Sequence, residues 1–267
     1  FKDFNSDVMA STAGFSGVAV FKYAFLSVAV WWAGFSQITY ARLPKGGIKS
    51  HATENRFTKG WKELLKVWRQ LKSNLLLKRY LLSFFVFSMG VQTIMLMATL
   101  FAAKEVDWGT DGAKTELIIS VLIIQFIAIA GAYFFSWLSA KIGNIKALML
   151  NLTVWIGVCS AAYFVYTPTG FYMLAAVVGL IMGGVQSLSR STYSKMLPKT
   201  EDHASFFSFY DVLEKFGIVI GTFSYGFIEG VTGSMRNSIF ALAVFFVVGF
   251  VLLWWVSKIK IAAPAEK

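Results

Sequence analysis

The sequence predicts an all-α integral membrane protein with seven transmembrane helices, and three observations predict it. The 267-residue chain is 57% apolar and 17% aromatic, with only 15% charged residues and a mean hydropathy of +0.62; soluble domains carry about 25% charged residues. A helix needs roughly 20 apolar residues to cross a bilayer, and seven such runs occur, at 17–41, 80–103, 116–140, 145–166, 171–194, 205–230 and 236–258. The runs are long and do not alternate, whereas barrel strands would be about 10 residues with period two. A buried soluble core fails on the length and number of the runs.

Taken in order, residues 1–41 are a short outer segment and the first span, which ends in the aromatic belt and proline of WWAGFSQITYARLP. Lys22, near the outer start of that span, reads as a snorkelling anchor. Residues 42–79 form a basic cytoplasmic linker: a polar stretch at 44–58, then a helical pattern in GWKELLKVWRQLKSNLLLKRY. Trp61, Leu64, Leu65, Trp68, Leu71, Lys72 and Leu75 share one face, with Lys62, Lys66 and Arg69 largely off it. A basic amphipathic helix with tryptophan on its apolar side is expected to lie on the inner leaflet. Either it recognises anionic lipid, or it simply joins two bundles and obeys the charge rule. Six spans follow over 80–258, and 259–267 is a cytoplasmic tail. The outer loop 104–115 is near-balanced in charge, and the short outer turns 167–170 and 231–235 force antiparallel neighbours.

The net charge of +11 would raise nucleic acid as a partner of a soluble protein; its placement says otherwise. Eighteen Lys and Arg fall on one side, eleven of them within 42–79, and four (Lys2, Lys104, Lys114, Arg236) on the other. The positive-inside rule therefore puts the N-terminus outside and the C-terminus in the cytoplasm. An odd number of spans that begins outside, at a Phe1 with no signal-peptide pattern, leads us to expect a segment upstream.

Catalytic constellations are absent. The single cysteine, Cys159, lies in the fourth span and reads as packing; His51 and His203 both lie in polar loops, so no histidine metal or triad site is expected within the membrane. There is no Walker-type glycine loop, and no cofactor is expected. Retinal binding would want a lysine midway along the last span, and 237–257 contains none.

Function is instead expected where polar groups enter the apolar runs, because such groups face a protein interior or a water-filled cavity. Gln92 and Thr93 in the second span and Gln125 in the third either line a cavity or bond a neighbouring helix. Gln186 and Arg190 share a helix face about one turn inside the fifth span, where they line an entrance or Arg190 snorkels to the interface. Asp211 and Lys215 stand four apart in the favourable acid-first order, and Asp211 shares a face with Glu214. A network of Arg190, Asp211, Glu214 and Lys215 would gate the cytoplasmic mouth, while Gln92, Thr93, Gln125 and Gln186 mark the path. Gly179/Gly183, Gly217/Gly221 and Gly226/Gly230 favour tight packing of spans five and six.

Four blocks occurring in order, FSMGVQTIMLMATLF at 87–101, QFIAIAGAYFFSWLSAKIG at 125–143, GLIMGGVQSLSRSTYSKMLP at 179–198 and SFFSFYDVLEKFGIVIG at 205–221, resemble the vacuole-effluxer family of the major facilitator superfamily. That family includes the fungal autophagy-related vacuolar amino-acid exporter and many bacterial relatives. The GGVQSLSRS block is the specific part, and VAVWWAGFSQITYARLP at 28–44 resembles the end of the family's sixth span.

The resemblance implies twelve spans in two bundles, of which this chain holds the last span of the first and the whole six-helix second bundle, 80–258. It implies a secondary transporter moving a small polar solute, amino acids among the candidates, by alternating access, with the lipid bilayer, protons and an N-terminal bundle as partners and no nucleic acid. A bacterial inner membrane is the expected location. In the superfamily's loop pattern, Lys141, Gly143 and Lys146 match in kind, while Ser136 replaces a glycine and Ala140 an aspartate, which puts the charge-relay part in doubt here. The resemblance also implies an acidic residue before Gly90, where Met89 stands. The rival reading is a non-transporting receptor or scaffold module, which the upstream gene sequence would distinguish.

Overall fold

A computed structural model describes residues 17–43, 56–108, 113–198 and 203–259, and those residues form eight helices with no strand among them. The outer segment 1–16, most of the polar linker and the tail from 260 lie outside the described residues. Helix α1 (Gly17–Arg42) belongs to one compact unit, Phe1–Glu54. The second unit, Asn55–Lys267, holds α2 (Arg56–Ser73), α3 (Leu75–Glu105), α4 (Ala113–Ile142), α5 (Asn144–Ala162), α6 (Pro168–Met196), α7 (His203–Thr232) and α8 (Met235–Ser257).

Five helices, α3, α4 from Glu116, α5, α6 and α8, are long and apolar enough to cross a membrane. Of the seven expected spans, α1 and α7 fall outside that set. Asp211, Glu214, Lys215 and Glu229 place charge along the 30-residue α7. Packing nevertheless makes α7 a full member of the bundle: Phe206, Tyr210, Gly217, Gly221 and Tyr225 are buried, and the helix lies against α3 and α8.

The most extensive helix packing is between α4 and α6, followed by α3 with α8 and α5 with α8. Glycines set the first contact. A Cβ on Gly131 would overlap the Leu180 carbonyl, one on Gly183 the Ala128 carbonyl, and one on Gly179 would stand 2.7 Å from the Ile124 oxygen. On α7, Gly217 and Gly221 are closed off by Ser88, Met89 and Thr93 of α3, whereas Gly226 and Gly230 meet nothing. The expectation that these glycines join spans five and six to each other is thus corrected: α6 uses them against α4, and α7 against α3. Spacing identifies a face on which a close approach can occur but does not say which helix approaches it.

Polar groups stitch the rest. Ser83 donates to the Gly249 carbonyl at 2.8 Å, tying α3 to α8, and Asn151 donates to the Ile181 carbonyl at 2.8 Å, tying α5 to α6. Trp155 stacks on Phe246 with centroids 5.1 Å apart, both fully buried between α5 and α8. Tyr80 of α3 donates to the Ser189 carbonyl at 2.8 Å from a fully buried position. Tyr80→Phe should cost about 1 kcal/mol, since one buried hydrogen bond is lost while the ring's packing and the helical partner of the Ser189 carbonyl are kept; the melting temperature of the purified protein reads it.

Helix ends follow local chemistry. Asn74 caps α3, its side chain accepting from the Leu77 N–H at 3.1 Å. Thr167 caps α6 with Pro168 in the first turn, so that helix begins at 168 rather than at the expected 171. Helix α5 stops at Ala162 although the apolar run continues to 166. The carbonyls freed there are taken by the Arg236 guanidinium, at 3.4 Å for Ala162 and 2.7 Å for Tyr163, and by the Asp107 N–H, at 3.0 Å for Tyr166.

The amphipathic helix α2 packs on α7 and α3. Its buried residues are Val67 and Leu71, with Leu64 partly covered, while Trp61 and Trp68 stay exposed at 65% and 48%. The face therefore centres on Val67, which the periodicity left off it. Trp68 meets the core through a ring contact with Phe209, at 6.2 Å.

Candidate functional site

Three helices converge on a cavity of about 80 Å³, to which α3 brings Ser88 and Gln92, α6 brings Gln186 and Arg190, and α7 brings Tyr210 and Glu214. Arg190 lies six residues before the end of α6, which gives its long side chain reach across the mouth toward α7. Asp211 and Glu214, three apart on α7, present both carboxylates to it. Arg190 Nη2 donates to Asp211 Oδ1 at 3.1 Å and lies 3.8 Å from Glu214 Oε2. The other oxygen of Glu214 accepts from Gln92 Nε2 at 2.6 Å.

Glu214 is thus the hub, joining the interior amide of α3 to the mouth guanidinium of α6. Its side chain is 17% exposed, against 60% for Arg190 and 52% for Asp211, so the network runs from solvent-facing to enclosed. Tyr210 completes the wall, stacked on Phe84 at 4.0 Å with the Arg190 guanidinium 5.8 Å from its ring. Tyr80 and Tyr210 were not singled out from the sequence; aromatic residues abound in every span, and nothing in their spacing marks these two.

The other predicted residues differ in their surroundings, and Gln186 reaches the cavity from an exposed position. Gln186 is exposed, its amide donating to the Met95 sulfur at 3.4 Å. Gln125 is exposed on α4, away from the network. Thr93 is fully buried beneath Gly221, and its hydroxyl lacks a hydrogen-bond partner. Lys215 is exposed beside Asp211, Val212, Phe216 and Val219 and makes no ion pair among the described residues. The expected four-charge network therefore contains three charges, with Asp211 turned to Arg190 across the helix gap instead of to Lys215 along its own helix.

The loop residues occupy the α4–α5 link. Gly143 has φ +87° and ψ 152°, a conformation essentially confined to glycine. Lys141 lies 3.9 Å above the Trp137 ring, and Lys146 is exposed at the start of α5. Asn144, which sequence inspection passed over, makes the tie: it donates to Thr192 at 3.2 Å and to Ser191 at 3.4 Å, and accepts from Lys195 at 3.1 Å. The link is thereby bound to the end of α6 that carries Arg190.

The sequence matches the family described as "Vacuole effluxer Atg22 like" over residues 7–264. It is 29% identical over 254 residues to the uncharacterized MFS-type transporter YxiO of Bacillus subtilis, covering 93% of this chain and 56% of that protein. It is 26% identical to autophagy-related protein 22 of Eremothecium gossypii, covering 85% of this chain and 47% of that one. The chain spans about half the length of the curated relatives it matches. Among solved structures, the fucose:proton symporter FucP of E. coli superposes with a TM-score of 0.59 at 17% identity, over 90% of this chain and 56% of that one. That likeness shows the fold alone, a shared arrangement of helices. With apolar helices long enough to span a bilayer, this is a multi-pass integral membrane protein, and the chain belongs to the Atg22-like vacuole-effluxer family.

Proposed function

We propose that the six helices α3–α8 form one half of a secondary transporter that moves a small polar solute by alternating access. Two bundles rocking about a site between them is the general scheme of such proteins. The observation that carries the reading is Glu214, an acid in an apolar helix bundle whose oxygens are divided between Gln92 and Arg190. Intramembrane ionisable groups of this kind mark pathways by default.

The chemistry favours a zwitterionic solute. Arg190 supplies a guanidinium fork for a carboxylate, Asp211 and Glu214 an acceptor for an ammonium group, and Gln92 and Gln186 neutral amides along the path. Amino acids are therefore the first substrates to test. The name of one relative, an MFS-type transporter, and the family's description as a vacuole effluxer support transport. The Arg190–Asp211–Glu214 contact is proposed as the gate at the basic, cytoplasmic end. A proton placed on Glu214 would remove its claim on Arg190, which offers a coupling step.

Arg190→Ala and Glu214→Gln should each lower solute flux in proteoliposomes of the intact protein by about tenfold or more. Full activity in both variants would sink the gate. Equal flux with and without a proton gradient would remove the coupling step and leave the gate intact.

A further inference from the structure

Apart from the polar site, a cavity of about 500 Å³ forms an apolar groove at the α2 end of the bundle. Trp68 of α2, Phe85 of α3, Leu213 of α7 and Trp255 of α8 line it, with Lys78 and Arg79 of α3 at its rim. The volume is in the range of ligand-holding clefts. No carboxylate lines it, and neither rim side chain has an ion-pair partner among the described residues.

The groove is graded along α3. At 1.5 Å per residue, Phe85 lies about 10 Å deeper than Lys78. Trp68 and Trp255, 48% and 54% exposed, flank the charged rim, where amphipathic rings sit at a bilayer surface. Leu82, between rim and depth, is 53% exposed and opens the groove sideways. Lys258 adds a further cation one turn beyond Trp255, at the end of α8.

We propose that this groove is a binding site for an anionic phospholipid of the adjoining leaflet, with an acyl chain along Leu82 and Phe85 and the phosphate held between Lys78 and Arg79. Paired cations at the rim, an uncharged apolar floor and interfacial tryptophans together match a lipid's two ends. A soluble anion would leave the floor empty, and an apolar peptide would leave the rim charges unanswered. Lipid occupancy would brace α2 against α7, the helix that carries Glu214, although the site does not depend on any transport role.

The test uses the intact protein in phosphatidylcholine nanodiscs containing a minor share of phosphatidylglycerol, with retained lipid counted by native mass spectrometry. The unaltered protein should retain phosphatidylglycerol over phosphatidylcholine. The double variant Lys78→Ala with Arg79→Ala should weaken that preference about ten- to thirtyfold. Exchanging the two cations, Lys78→Arg with Arg79→Lys, should keep it. A photoreactive residue replacing Leu82 should give a lipid adduct. Unchanged preference in the alanine pair, equal retention of the two lipids, or an adduct to protein at Leu82 would each overturn the proposal.

Discussion

Replacing Gly183 with valine is expected to leave little correctly folded protein. Helices α4 and α6 touch backbone to backbone at successive levels, Gly179 on Ile124, Gly183 on Ala128 and Gly131 on Leu180. The atom in the way at Gly183 is a main-chain carbonyl, which cannot rotate aside as a side-chain end can. Overpacking a core that can relax costs about 1–3 kcal/mol. Here one whole helix must move from the other, forfeiting the dispersion contacts that hold helices together where no water drives them. A loss above about 3 kcal/mol is a large part of a stability of roughly 5–15 kcal/mol. Gly226→Val is the contrast, because that glycine has the same spacing motif but open space around it. The size-exclusion profile and melting temperature in detergent should separate the two variants; matching behaviour would mean that the α4–α6 contact is not the constraint.

The same glycines show what the sequence could reveal. Apolar length gave the helices of the bundle, and polar intrusions gave Gln92, Gln186, Arg190, Asp211 and Glu214, four of which line one cavity and the fifth its mouth. Burial of charge in an apolar run is costly enough to be visible without coordinates. Partner choice was not visible. Asp211 pairs with Arg190 on another helix rather than with Lys215 four residues on, since an exposed same-helix pair contributes only about 0.2–0.5 kcal/mol and yields to a guanidinium already held by Glu214. Nor could periodicity centre α2 on Val67, because the heavy tryptophans that dominate its pattern lie at the edge of the contact. Thr93 and Gln125 carried the same signal as Gln92, yet one is sealed under Gly221 and the other faces outward. Rotation about the helix axis decides their fates, and only the neighbouring helices fix it.

Arg236→Met should be the most damaging change at the end of the bundle opposite the charge cluster. Counted from sequence alone, Arg236 is one of four basic residues on the outer side; in the structure it is 7% exposed and joins three helices. Its Nε donates to Glu105 Oε2 at 2.8 Å and its Nη2 to the Glu105 carbonyl at 2.7 Å, at the end of α3. Its Nη1 serves the Ala162 and Tyr163 carbonyls where α5 ends, and its Cζ lies 3.9 Å from the centre of the Tyr166 ring. Methionine fills much of the volume but takes the donor from a half-buried carboxylate and from the Tyr163 carbonyl, while the Ala162 carbonyl keeps the Val165 N–H. Removing one member of a buried pair costs about 3–5 kcal/mol. Adding Glu105→Gln should return part of that loss, since the stranded charge disappears, and a double-mutant cycle on melting free energies measures the coupling. Lys104→Ala supplies the scale, because the Lys104–Glu229 pair nearby is 62% and 30% exposed and should be worth no more than about 1 kcal/mol. If both substitutions cost the same, Arg236 is only a surface charge and the early end of α5 has another cause. If they differ as expected, a side chain on α8 decides where α5 stops and thereby fixes the ends of three helices at once.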